Sequence, residues 1–212
     1  MFAGALAAAG TWTLTAELAR PPRNGFPINV NYQSAAEQRP QLARAAYFGM
    51  VRGDLWANLF FSFADSLFTQ NDRDFGAIAT VNEALPTAER ALSYAPYQTA
   101  VWLLLSDMAG KYELPKPKSG DALKMSYYTA PYKTSLIPLR LSIAMRSDAL
   151  GDTELKQFVE RDLRMILTAQ PEMRPAIVTA YAKASADGRH LVESIAQEVD
   201  ASFLSSLKKT NF

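Results

Sequence analysis

Residues 89–109 read ERALSYAPYQTAVWLLLSDMA, and they decide the fold class. Ala91, Leu92 and Ser93 lead into Ala95-Pro96. Proline lacks an amide hydrogen and cannot continue a helix, so a first helix closes there. A second opens a few residues later, with Trp102 in its first turn and Leu103, Leu104 and Leu105 behind it. Two helices joined by so short a connection lie antiparallel.

The same pattern recurs on both sides. Ala95-Pro96-Tyr97-Gln98-Thr99 returns 35 residues later as Ala130-Pro131-Tyr132-Lys133-Thr134. Arg44-Ala45 followed by Trp56 matches Arg90-Ala91 followed by Trp102, a shift of 46. Further on, Leu155, Phe158, Val159, Leu163, Ile166 and Leu167 mark one helix face over residues 152–169, with Asp152 or Thr153 as the N-cap. Pro86, Pro96, Pro131, Pro171, Pro175 and Gly188 cut the chain into pieces of helix length. Only residues 28–32 read as extended. The expected class is all-α.

These residues resemble the tetratricopeptide repeat family. Ala91 and Leu92 stand five and four residues before Pro96, as at the close of that repeat's second helix, while Trp102, Leu105 and Ser106 fall where its first helix places Trp, Leu and a small residue. The likeness covers about residues 42–146 and departs at Ala109, Phe60 and Ile137. The spacing of 46 also exceeds the family's period of about 34, which asks for an insertion near residues 66–80. The resemblance implies antiparallel hairpins stacked as a short solenoid over residues 39–150, with a helical region at 151–212 packed on them. It also implies a concave face, carried by Asp54, Ala57, Asn58, Phe61 and Asp65, then Leu103, Leu104, Asp107 and Lys111, that receives a protein partner as a peptide or helix. Asn58 alone fits the Lys, Arg and Asn cluster with which some members clamp a peptide carboxylate.

Composition narrows the function. The 212 residues carry 22 Lys+Arg against 21 Asp+Glu, and a net charge of +1 argues against nucleic-acid binding as the main task. With no cysteine and one histidine, disulfides, thiolate chemistry and multi-histidine metal sites are excluded. No Gly-x-Gly-x-x-Gly, phosphate loop, His-Glu-x-x-His or nucleophile elbow occurs. Neither catalysis nor a cofactor is expected. His190 reads as a surface or cap residue, and Asp65, Asp72, Asp74 and Asp107 as solvated acids.

Residues 2–16 are uncharged, and Arg20 and Arg23 follow within a Pro-rich break at 20–38. Residues 1–19 are expected to be a membrane anchor or signal remnant with the body outside the cytoplasm, in the periplasm; an Ala-rich helix packed on the domain is the alternative. Trp56, Phe60 and Phe63 share a helix face and read as core, with Phe61 and Phe68 on another. From Lys111 to Arg146 seven cations, among them Lys116, Lys118, Lys124, Lys133 and Arg140, face two acids, a patch for an anionic partner or a solvated face. The reading is a non-catalytic adaptor at the cell envelope. The alternative is an enzyme, or a lipid- or glycan-handling accessory with a pocket between helices.

Overall fold

The structure is a computed structural model that describes residues 2–20, 32–69 and 75–210. All regular structure among the described residues is helical, so the protein is all-α. The chain divides into two compact units, Met1–Tyr112 and Glu113–Phe212.

The first unit holds α1 (Phe2–Leu18), α2 (Tyr32–Gly49), α3 (Gly53–Thr69), α4 (Phe75–Tyr94) and α5 (Thr99–Lys111). Helix α3 is central and packs against α2, α4 and α5, while α1 lies along α2. Trp56, Phe60 and Phe63 are buried as the sequence suggests. Ala84, Ala88 and Ala91 line the buried side of α4, and such small side chains let α3 approach closely. Gly53 takes this furthest. A Cβ there would stand 2.5 Å from the Ala95 Cβ and 2.8 Å from the Ala91 carbonyl oxygen. Pro86 does not end a helix, because α4 runs straight through it. Of the segment read as extended, residues 28–31 lie outside the described residues, and Tyr32 already begins α2.

The second unit holds α6 (Ser119–Thr129), α7 (Ile137–Arg146), α8 (Thr153–Ala169), α9 (Arg174–Ala182), α10 (Ala186–Val199) and α11 (Ala201–Thr210), with short 3-10 turns at Thr134–Leu136, Asp148–Gly151 and Pro171–Met173. Asp152 caps α8 by accepting from the Leu155 amide at 2.9 Å. The expected face of α8 is buried, apart from a half-buried Phe158. Gly188, one of the marks that divide the chain into helix-length pieces, sits in the first turn of α10 and not between helices, as the placing of residues 187–190 at a helix start implies. There the Met145 backbone comes so near that a Cβ would lie 2.5 Å from its carbonyl oxygen.

Both sequence echoes have physical counterparts. In the first Ala-Pro-Tyr turn the Gln98 amide donates to the Ala95 carbonyl at 3.1 Å, and in the second the Lys133 amide donates to Ala130 at 3.3 Å. Gln98 and Lys133 share a backbone conformation as well, φ −72° and ψ 81° against φ −80° and ψ 90°. The two tryptophans also correspond. The Trp56 indole donates to the Met50 carbonyl at 2.9 Å and the Trp102 indole to Pro96 at 2.7 Å, each reaching back six residues into its own turn. Their burial differs. Trp56 is 3% exposed, whereas Trp102 is only half-buried and does not fill the seam that the family pattern assigns to it.

Candidate functional site

The expected groove residues are placed as follows. Asn58, Leu104 and Asp107 are buried, and Phe61 is half-buried against Phe60 with ring centroids 6.2 Å apart. The Lys111 ammonium donates to the Leu67 carbonyl at 2.8 Å. The Asp65 and Phe68 side chains, and all of Asp72 and Asp74, lie outside the described residues. Where α3 meets α5, Ala64, Leu67, Leu104, Asp107, Met108 and Lys111 close on a space of about 10 Å³, no more than a single water molecule needs. This face of α3 is filled by α5, so it offers a partner little surface.

The open groove lies elsewhere, between α2, α3 and α4. It measures about 690 Å³. Leu59, Trp56 and Phe63 from α3 form its floor; Arg39, Pro40, Ala43 and Tyr47 from α2 make one wall, and Glu83, Pro86, Thr87 and Arg90 from α4 the other. The aromatic rings hold the two arginines. The Arg39 guanidinium lies 4.3 Å from the Phe63 centroid and also donates to the Ser62 carbonyl at 3.0 Å. Arg90 lies 4.7 Å from the Trp56 ring and 5.9 Å from that of Tyr47, and Tyr47 meets Trp56 edge to face at 5.2 Å. Arg90, stacked by its face and exposed to water, presents its N–H edge to a carboxylate. The cue in the sequence is Arg90 itself, a member of the 46-residue echo that reads there only as a helix end.

The cationic stretch is not one surface. Lys116, Lys118 and Lys133 are exposed. Lys124 is half-buried between Asp152, at 2.5 Å, and Glu154, at 3.4 Å, so its charge is already met. Arg140 is 0% exposed. It donates to the Ser126 carbonyl, and to Ala130 at 3.0 Å, stacking 4.3 Å from the Tyr127 centroid. The Tyr127 hydroxyl donates to buried Asp162 at 2.9 Å. Burial pushes the Asp162 carboxyl above its ordinary value against the pull of Tyr127, Arg161 and Arg140, and it holds the Tyr127 phenol well up and Arg140 down. These groups face one another inside the unit.

A polar hollow of about 240 Å³ between α8 and α10 gathers Lys156, Glu160, Asp187, His190 and Ser194. His190 is exposed, one turn into α10, as expected. Among the described residues no three His, Cys, Asp or Glu side chains converge closely enough to hold a metal ion. No family model, no curated protein and no solved structure matches this chain.

Proposed function

We propose that the protein is a non-catalytic adaptor built of degenerate, tetratricopeptide-like helical hairpins, and that a partner protein segment binds between α2, α3 and α4. The observation that carries the reading is the groove with two guanidiniums laid on an aromatic floor. Trp, Tyr and Arg are the residue types that anchor interfaces, and here exposed Tyr47 and Arg90 stand over buried Trp56 at the edge of an open concavity. The repeat reading draws support from the matched Ala-Pro-Tyr turns and the two indole-to-turn hydrogen bonds. The groove's chemistry selects its guest. Apolar side chains desolvate against the exposed Pro40, Tyr47 and Pro86 of its walls, while carboxylates meet Arg90, so the preferred segment carries aromatic, aliphatic or proline residues spaced with Asp or Glu.

The test is a random-peptide display selection on the immobilised chain. Selected peptides should combine acidic with apolar residues. Arg90→Glu should weaken them at least about tenfold while leaving the fold intact, since an exposed arginine contributes little to stability but reversal sets like charges together. A selection that enriches nothing, or peptides indifferent to Arg90→Glu, would remove the groove as the binding site.

A further inference from the structure

Helix α1 is built unlike the other helices. From Phe2 to Ala16 it carries no charge, and from Ala9 to Thr15 every residue is exposed. Seven consecutive exposed positions span nearly two turns and therefore cover all sides of a helix. A surface helix of a water-soluble domain shows water a polar face; one that is apolar all round belongs in a core or in lipid. Among the described side chains of α1 Ala16 is buried, while Leu6, Trp12 and Leu14 are each more than half exposed.

We propose that α1, with the rim of the α2–α3 turn, inserts into the hydrocarbon of a lipid bilayer. Apart from Tyr47, which stands at the edge of both, this rests on residues separate from the groove. The threonine hydroxyls of α1 are satisfied within the helix: Thr11 donates to the Ala7 carbonyl at 2.9 Å, Thr13 to Gly10 at 3.0 Å and Thr15 to Trp12 at 2.7 Å. Such back-bonding is how hydroxyls are carried into a medium that offers no partner. The rim continues the same surface, for Tyr47, Phe48, Met50 and Val51 are all more than half exposed, and the first three share a hollow with Thr11, Trp12 and Thr15. Trp and Tyr at that level suit the interface, where an apolar ring and a polar tip are both accommodated.

Charge appears at one end of the helix and is balanced there. Arg52 binds Glu17 at 2.5 Å and Asp54 at 2.7 Å, and Arg20 lies 3.7 Å from Glu17 and 3.9 Å from Asp54. Two cations and two anions form a neutral cluster that marks the water boundary. The uncharged part of α1 measures about 22 Å, against about 30 Å for a hydrocarbon core, and among the described residues no helix is long and apolar enough to cross a membrane. The geometry therefore gives insertion from one side. A second copy of the chain fits less well, because a single packed helix covers one stripe of α1 and leaves its remaining apolar sides in water.

The experiment is flotation of the full chain with phosphatidylcholine vesicles, together with quenching by brominated phosphatidylcholine. Floating protein is expected with neutral lipid and at high salt alike, because the end cluster is neutral. Brominated lipid should quench the parent's emission, and Trp12→Phe should lose that quenching. The Leu6→Lys, Leu14→Lys double variant, on exposed positions that spare the fold, should lower the vesicle-bound fraction at least about tenfold. The proposal is overturned by protein that stays in the aqueous layer, by flotation that survives the double variant, or by binding confined to anionic vesicles and abolished by salt. A dimer that the double variant dissolves and vesicles do not displace would instead assign the surface to a second copy. None of these outcomes bears on peptide binding by the groove.

Discussion

Both units lay a guanidinium on an aromatic ring, at opposite extremes of accessibility. In the first unit Arg90 rests on Trp56 at the edge of an open groove, exposed to water. In the second Arg140 rests on Tyr127 with no exposed surface at all. The difference lies in what else the cation touches. The last carbonyls of a helix have no partner within it. Arg140 reaches from α7 to two of them, Ser126 and Ala130 at the end of α6, and so closes the α6–α7 hairpin from inside. Arg90 bonds to no such group in the groove and keeps its edge available. One residue pair thus holds architecture where the helix end is buried, and where it is not the same pair is left accessible for the recognition we propose.

The sharpest way to break this comparison is to remove each arginine. Arg140→Ala leaves the Ser126 and Ala130 carbonyls without their buried partner and takes one of the nearby cations from Asp162, which should cost about 3–5 kcal/mol. Arg90→Ala removes the exposed cation–π contacts to Trp56 and Tyr47 and should cost about 0.5–1 kcal/mol. Urea unfolding followed by circular dichroism measures both. Equal midpoints for the two variants would mean that burial of Arg140 carries no structural weight.

The tryptophans sharpen it within the first unit. Trp56 and Trp102 make the same indole hydrogen bond, but Trp56 is buried and forms the groove floor. Trp56→Ala should therefore cost about 3–5 kcal/mol and abolish binding of selected peptides, whereas half-buried Trp102 should cost roughly half as much and leave binding intact. If Trp102→Ala proves the more damaging, the two hairpins are not equivalent in the way their turns suggest.

What could be read from the chain beforehand was local. Asp152 and the spacing from Leu155 to Leu167 determine α8 within a few residues of themselves, and the Ala-Pro-Tyr turns carry their own hydrogen bonds. What was missed depends on distant chain. Gly188 reads as a break, yet its lack of a side chain serves the approach of Met145, more than forty residues earlier in sequence. Pro86 reads as a stop because its lost donor is a local fact, while the packing of α4 on α3 that carries the helix past it is not. Arg140 counts as one cation in a basic run until the end of α6 is known to lie against it. Likewise Leu104 and Asp107 share a helix face with open-groove potential until α5 is seated on α3, which moves the open concavity to Tyr47, Trp56 and Arg90.

The smallest expected effect separates two carboxylates by the sign of their pH dependence. Burial acts on both Asp54 and Asp162 to raise them from the ordinary aspartate value of 3.8. At Asp54 the hydrogen bonds and charge of Arg52, with Arg20 behind it, overcome burial and hold the carboxyl below that value. At Asp162 burial wins over Tyr127, Arg161 and Arg140, and the carboxyl stands above it. A lowered carboxyl binds its proton less readily in the folded chain than in the unfolded one. Its stabilisation is complete above 3.8 and is lost as pH falls through the folded value. A raised carboxyl does the reverse. It costs nothing below 3.8, and its penalty builds as pH rises from there through the folded value and stays in place above it. Asn keeps the shape and removes the titration in each case. Relative to the parent, Asp54→Asn should lose its disadvantage only on the acid side of 3.8, whereas Asp162→Asn should gain on the parent only on the alkaline side. Unfolding midpoints of the parent and both variants across the acid range check this directly. Parallel curves at Asp162 would show that its environment is wet after all, and that the buried arginine of the second unit works no differently from the exposed one of the first.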